Sequence, residues 1–200
     1  MIEKLVSTSA VEGFFISGHY GSDARKGQSL LILERKFFSL VSVGIAKNDN
    51  VTKVKVETCL GCHLSDRPGD SFVSKNVKTI YVQPNQWILI SDKFLEGELI
   101  KVLTESAPEA AVVDISHGRT IFRLVGSSAR HVLSKGCSVD LHPTKFLPGS
   151  AITTLVGHFT VLLDCVELET IDIYITRSYG LAFLDWLKMS TEEFGFRLGK

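Results

Sequence analysis

The residues whose types and spacing are closest to a chemical motif are Cys59-Leu60-Gly61-Cys62-His63. Two thiols three positions apart, with an imidazole beside the second, form the pattern of covalent haem attachment, in which the thiols add to haem vinyls and the histidine ligates iron. The surroundings do not suit that chemistry. Such attachment takes place outside the cytosol, the opening residues carry no export pattern, and the chain is larger and richer in strands than a small cytochrome needs. The alternative is a pair of helix-end thiols packed in a core, where cysteine is among the most readily buried side chains. A structural zinc site needs four ligands, usually as two spaced pairs. Cys137 and Cys165 are isolated, and the other histidines fall in unrelated turns and strands, so the three candidate ligands lack a second pair. A thioredoxin-like role for the dithiol fails because no strand leads into it at a helix start.

Nucleophilic catalysis has no better support. No G-x-S-x-G elbow occurs, and Ser17 with His19 and Ser116 with His117 read as turn chemistry. Neither G-x-G-x-x-G nor G-x-x-x-x-G-K-[ST] is present, so no flavin or nucleotide is expected on this chain by those routes. The expectation is a chain with no catalytic, cofactor-binding or metal-ligating residue of its own.

The elements that would position these residues follow from periodicity and punctuation. Asn48-Asp49-Asn50 is an N-cap cluster, and Val56, Cys59, Leu60 and His63 fall at i, i+3, i+4 and i+7. The pattern predicts a helix over 50–60 ended by Gly61, although Val51, Val54 and Val56 alone also fit a strand. The first ten residues read as a weakly patterned arm. Buried strands are predicted over 28–34 and 37–45, then over 77–82 and 87–91 with a turn at Pro84-Asn85. Ser91 or Asp92 is expected to cap a helix with Leu95, Leu99, Val102 and Leu103 on one face, closed by Pro108.

Farther on, 111–116 and 119–125 read as a hairpin through His117-Gly118. Ser127 is expected to cap a short helix carrying Ala129, Val132 and Leu133, with Gly136 ending it. Strands over 151–157, 159–166 and 170–176 precede a last helix that runs from Ser178 toward Ser190. The order predicts an α+β protein of two small two-layer α/β-sandwich units with mixed or antiparallel sheets, 1–108 and 109–200, parted near Pro108.

Composition narrows the class. In 200 residues, 22 Lys+Arg balance 22 Asp+Glu, and 44% of residues are hydrophobic, which is a globular make-up. Charge balance argues against nucleic acid, whose phosphates need a cationic face. No apolar run approaches the ~18–20 residues that cross a bilayer, so no membrane partner is expected. The start at Met1-Ile2-Glu3-Lys4-Leu5 lacks a basic stretch followed by an apolar core, which sets the expectation of a cytoplasmic protein with reduced thiols.

What remains is surface. The last helix carries Tyr179, Leu181, Ala182, Phe183, Leu184, Trp186, Leu187 and Met189, with Asp185 and Lys188 as polar relief. A helix on a two-layer unit buries one stripe, whereas these residues extend around most of the circumference. Either another element of the chain covers the second face or a partner protein does. Tyr179, Phe183 and Trp186 are the candidate interface residues, since aromatic side chains are enriched at interface centres.

The string Val113-Asp114-Ile115-Ser116-His117-Gly118-Arg119-Thr120 is followed by Leu133-Ser134-Lys135-Gly136-Cys137, Asp140-Leu141-His142-Pro143 and Phe146-Leu147-Pro148-Gly149. Thr176-Arg177-Ser178 and Glu193-Phe194-Gly195 close the series, and Gln83-Pro84-Asn85-Gln86-Trp87-Ile88-Leu89 stands in the first half. As an ordered set spanning 27–195, these strings resemble the gamma subunit of heterotetrameric sarcosine oxidase. Where that family places a Gly-x-x-Leu-Pro-like string, this chain has Gly61-Cys62-His63-Leu64-Ser65, with Ser65 departing from the proline.

The resemblance implies a non-catalytic structural subunit, similar in fold to part of the folate-binding aminomethyltransferases and docking chiefly on the alpha subunit. The alpha, beta and delta subunits would hold FAD, FMN, NAD, zinc and tetrahydrofolate. The complex would oxidise sarcosine to glycine, yielding hydrogen peroxide and either formaldehyde or methylene-tetrahydrofolate. Two alternatives stand beside it: a gamma-like subunit of an N-methyl amino-acid dehydrogenase, and a stand-alone folate-binding or one-carbon transfer protein.

Overall fold

Residues 8–21, 30–36, 38–95 and 97–199 are described by the computed structural model. Most of the arm expected over 1–10, the first two residues of the strand expected over 28–34, and Phe37 lie outside the described residues.

Among the described residues there are twelve strands and four α-helices. In chain order the first are β1 (Gly18–Tyr20), β2 (Leu30–Arg35), β3 (Ser39–Gly44), α1 (Asn50–Leu60), β4 (Ser71–Val73), β5 (Lys78–Gln83), β6 (Gln86–Ser91) and α2 (Glu98–Ser106). Next come β7 (Ala111–Asp114), β8 (Arg119–Val125), α3 (Ala129–Ser134), β9 (Ala151–Val156), β10 (Phe159–Glu167), β11 (Thr170–Thr176), α4 (Gly180–Thr191) and β12 (Phe196–Gly199).

The strands form two sheets. A seven-stranded sheet has the order β1-β12-β2-β8-β11-β10-β9, antiparallel except for the parallel pair β12-β2. A five-stranded antiparallel sheet has the order β4-β5-β6-β3-β7. Helices α3 and α4 cover the outer face of the larger sheet, where Val132, Phe183 and Leu187 meet Phe122, Leu163 and Ile173. Helices α1 and α2 cover the outer face of the smaller one, where Val56, Leu99 and Leu103 meet Val41 and Leu89. The two inner faces meet through Leu40, Ile80 and Ile90 on one sheet and Ile121, Leu162 and Tyr174 on the other. The result is an α/β/β/α stack, two α/β sandwiches set sheet to sheet, in keeping with the mixed α+β architecture expected. Covered on both faces, β10 reads as a near-continuous apolar run rather than an alternation.

Local signals account for much of this. α1 occupies the span predicted for it. Asp49 caps it by accepting from the Thr52 amide at 3.0 Å and the Thr52 hydroxyl at 2.6 Å, and Gly61 ends it in the left-handed region at φ 59°. The turn at Pro84-Asn85 joins β5 to β6 with Asn85 at φ 62°.

Other expectations are corrected. The segments around His117-Gly118 do not form a hairpin. Neither residue takes positive φ, as a two-residue primed turn requires; Ser116–Gly118 instead forms a 3-10 turn. Ile115 donates its amide to the Leu40 carbonyl at 2.9 Å, and the Ser116 hydroxyl accepts from the Leu40 amide at 2.8 Å. β7 therefore stays in the five-stranded sheet while β8 enters the other.

The sheets consequently do not part near residue 108: β2 precedes that point yet pairs with β8, and β7 follows it yet pairs with β3. Neither Ser91 nor Asp92 caps α2. The Ser91 hydroxyl accepts from the amides of Lys93 and Phe94, Asp92 binds Arg35, and the helix begins after Gly97, leaving Leu95 exposed. Ser128 rather than Ser127 precedes α3, without a side-chain cap.

Candidate functional site

The last helix is built as the sequence suggests but seated differently. In α4, Phe183, Leu184, Leu187 and Thr191 form the buried stripe. Phe183 is fully buried, with ring centroids 5.9 Å from Phe122, 5.4 Å from Phe159 and 5.6 Å from Trp186. Trp186 is partly buried and roofs a tight crossing of backbone. A Cβ placed on Gly136 would stand 2.5 Å from the Gly157 nitrogen and 2.7 Å from Trp186 Cζ2. Tyr179 is 54% exposed and meets Phe159 edge-on at 6.0 Å. Of the three candidate interface residues, Phe183 therefore belongs to the chain's own core, Trp186 bridges core and surface, and Tyr179 offers most of its side chain outward.

The apolar circumference of α4 is also partly covered from within. Val11 and Phe15 join the core beneath the helix, and Lys188 Nζ donates to the Phe14 carbonyl at 3.3 Å. Phe14, Ile16 and Met189 stay exposed beside that contact. The Phe14-Phe15-Ile16 run was the signal for this segment, obscured in the sequence by Gly13 and Gly18.

The Cys59–His63 string lies at the end of α1, both thiols half-buried and packed against the core under α1 and α2. Burial, reinforced by Glu57 and Cys59, pushes the Cys62 thiol up to about 12. Burial also raises Cys59. Since the thiolate is the form that attacks or ligates, these are core thiols at neutral pH. His63 Nδ1 stands 3.1 Å from Glu57 Oε1, and its ring meets Phe72 edge-on at 5.3 Å. Where Ser65 replaces proline, its hydroxyl donates to Asp70 at 2.5 Å and accepts from the Arg67 amide at 3.1 Å, so hydrogen bonds hold that turn. Among the described residues, no three His, Cys, Asp or Glu side chains gather as metal ligands would. No described helix is long and apolar enough to cross a membrane.

Sequence reasoning missed the charged cluster between the sheets. Asp164 and Asp172 are opposite one another on β10 and β11, both fully buried. Asp172 accepts from Arg123 Nε and Nη2 at 2.6 and 2.8 Å and from Arg35 Nη1 at 2.9 Å; Arg35 Nη2 also reaches Asp92 at 2.6 Å. Asp164 pairs with Lys78 of β5 and accepts from the Tyr174 hydroxyl at 3.5 Å.

The electrostatics follow from burial and pairing. Burial pushes the Asp164 carboxyl up, against the pull of Lys78, and holds the Tyr174 hydroxyl well above its ordinary range. Burial alone would lower the Arg35 guanidinium, but Asp172, Tyr174 and Asp92 outweigh it; the hydrogen bond to Asp172 is the chief cause that raises Arg123. These groups are engaged with one another, and their arrangement clamps one sheet to the other.

Comparison with known proteins places this architecture. The family model described as "Sarcosine oxidase, gamma subunit family" matches residues 48–193. The chain is 31% identical over 107 residues to sarcosine oxidase subunit gamma of an Arthrobacter species, an alignment covering 52% of each protein. The match spans about half the length of such curated relatives. Among solved structures, it is similar to a chain of the heterotetrameric sarcosine oxidase from Corynebacterium sp. U-96 in complex with pyrrole 2-carboxylate. That likeness has a TM-score of 0.75 at 24% identity and covers 82% of this chain and 85% of that one. It is also similar to the glycine cleavage system aminomethyltransferase T of Bartonella henselae, with a TM-score of 0.58 at 13% identity over 80% of this chain and 45% of that one. Both structural likenesses are of fold.

Proposed function

The chain belongs to the sarcosine oxidase gamma subunit family, and on that premise we propose that it is a non-catalytic structural subunit of a heterotetrameric, flavin-dependent sarcosine oxidase. The observation that carries the reading is the family match, which takes in all four helices and strands of both sheets. The chemistry lies on partner chains: an alpha, a beta and a delta subunit carry FAD, FMN, NAD, zinc and tetrahydrofolate. They convert sarcosine to glycine with release of hydrogen peroxide and formaldehyde, or with methylene-tetrahydrofolate in place of formaldehyde. The complex works in the cytoplasm.

This chain contributes a rigid α/β/β/α block that docks chiefly on alpha. Tyr179, just before α4, is an anchor of that surface, with the partly buried Trp186 and exposed Met189 farther along the helix. Exposed aromatic and methionine side chains suit an interface centre because those residue types are enriched there.

The test is isolation of the tagged chain from its native host, followed by mass spectrometry and a peroxide assay. Stoichiometric alpha, beta and delta chains with sarcosine-dependent peroxide release are expected. A chain recovered alone and monodisperse would overturn the reading.

A further inference from the structure

Glu34, near the end of β2, has a side chain 5% exposed. Its Oε1 accepts from the Ser9 hydroxyl. Its Oε2 is buried and makes no hydrogen bond among the described residues, facing Lys36 Nζ at 3.4 Å. Buried carboxylate oxygens ordinarily accept hydrogen bonds, because removing a charged acceptor from water without a replacement donor is unfavourable. Lys36 is half-exposed and keeps much of its hydration, so its pull on Glu34 is weak and it can swing aside.

Glu34 lines a cleft of about 470 Å³ bounded by the segment Thr8–Glu12, the end of β2, the loop after β6 and the start of β8. That volume falls in the ~300–1,000 Å³ range of small-molecule sites. Phe38 and Phe94 supply apolar wall, and Arg119 and Arg177 stand on the lining. Arg119 Nη1 donates to the Thr176 hydroxyl at 3.2 Å, and Arg177 Nη2 to the Thr8 carbonyl at 2.5 Å. A guanidinium has five N–H donors in a fork that matches a carboxylate, so both arginines have donors beyond these bonds. Arg35 also lines the cleft, but its charge is committed to Asp172 and Asp92.

We propose that this cleft binds a small zwitterion, with an N–H donor on Glu34 Oε2 and a carboxylate on Arg119 and Arg177. A simple anion would meet repulsion from Glu34, and a simple cation would meet it from the two arginines. A ligand carrying both groups takes the place of Lys36 on Glu34 Oε2 and meets the remaining guanidinium donors together. The inference concerns a surface of this chain and does not rest on the assembly proposed above.

Equilibrium dialysis of the protein as isolated, with radiolabelled β-alanine as the probe, tests it. Saturable binding in the millimolar range is expected, displaced poorly by propionate, which lacks the amine, and by N,N,N-trimethyl-β-alanine, which lacks the N–H. Glu34→Gln and Arg177→Gln should each weaken binding about tenfold or more at unchanged melting temperature. Arg177 sits nearer the surface, so R177Q decides the matter if E34Q fails to fold. Binding that is absent, that survives both substitutions, or that accepts the trimethylated probe equally well would overturn the proposal.

Discussion

Lys78 on β5 and Asp164 on β10 form an ion pair across the boundary between the two sheets, with the aspartate side chain fully buried and the lysine side chain 12% exposed. Beside it, Arg35 reaches from β2 to Asp92, which follows β6 on the other sheet. Leu40, Ile80 and Tyr174 make the boundary cohesive, and the Lys78–Asp164 pair gives it a register, because neither partner of that pair tolerates burial without the other.

Removing one member should therefore cost far more than replacing both. Lys78→Met should lower unfolding free energy in denaturant titration by about 3–5 kcal/mol, the usual cost of stranding a buried charge. The double variant Lys78→Met/Asp164→Leu should recover most of that loss. A Lys78→Met protein as stable as the parent would contradict the burial of this pair.

The same carboxyl sets a pH dependence. Burial raises Asp164 above its ordinary 3.8, so the folded state holds this proton more tightly than the unfolded state. Its contribution is fully favourable below 3.8 and is lost as pH rises from there through the raised value. Relative to Asp164→Asn, wild-type stability should decline with pH across that window. Parallel stability–pH curves for the two proteins would refute the assignment.

Two aromatic residues of the last helical region should separate core from interface. Phe183→Ala should cost about 3–5 kcal/mol of stability, as expected for a fully buried phenylalanine. Tyr179→Ala should change stability by about 1 kcal/mol or less, yet weaken association with the partner chains by about 1–2 kcal/mol. Thermal melts and a pull-down titration on the same pair of variants distinguish the two losses.

Gly136 should accept no side chain. A methyl group there meets the Gly157 backbone nitrogen at 2.5 Å as well as the Trp186 ring, and backbone cannot rotate away. Gly136→Ala should destabilise by about 1–3 kcal/mol and shift the Trp186 fluorescence maximum as the indole is displaced. An unchanged melt and spectrum would rule out the close crossing.

With its thiol pushed up to about 12, Cys62 should be nearly inert to iodoacetamide at neutral pH and should react at ordinary thiol rates once the chain is unfolded. Peptide mapping after timed alkylation measures this. Rapid labelling of the folded protein would show a thiolate the surroundings do not support.

Much of the fold was legible where the physics is local. Asp49 and Gly61 bracket α1 because a cap and a left-handed terminus are decided within a few residues. The strands of β9, β10 and β11 were readable for the same reason, their apolar runs being bounded by short turns. The hairpin expected at His117-Gly118 was not, because a dipeptide that permits a turn does not reveal which strand lies opposite; the bonds of Ile115 and Ser116 to Leu40 decided that. β12 was invisible for a related reason: Phe196–Gly199 becomes a strand by pairing with β1 and β2, residues far back in the chain.

The candidate surfaces divide along the same line. Residue types alone marked the chain as a globular mixed α/β protein, and the ordered motifs between 27 and 195 marked its family. Those are properties of composition and of order along the chain. Which aromatic of α4 faces outward, and that Asp164, Asp172, Arg35 and Lys78 converge between sheets, only tertiary structure decided. Burial and charge pairing depend on what other segments bring into contact, and Lys78 and Asp164 are separated by 86 positions in sequence.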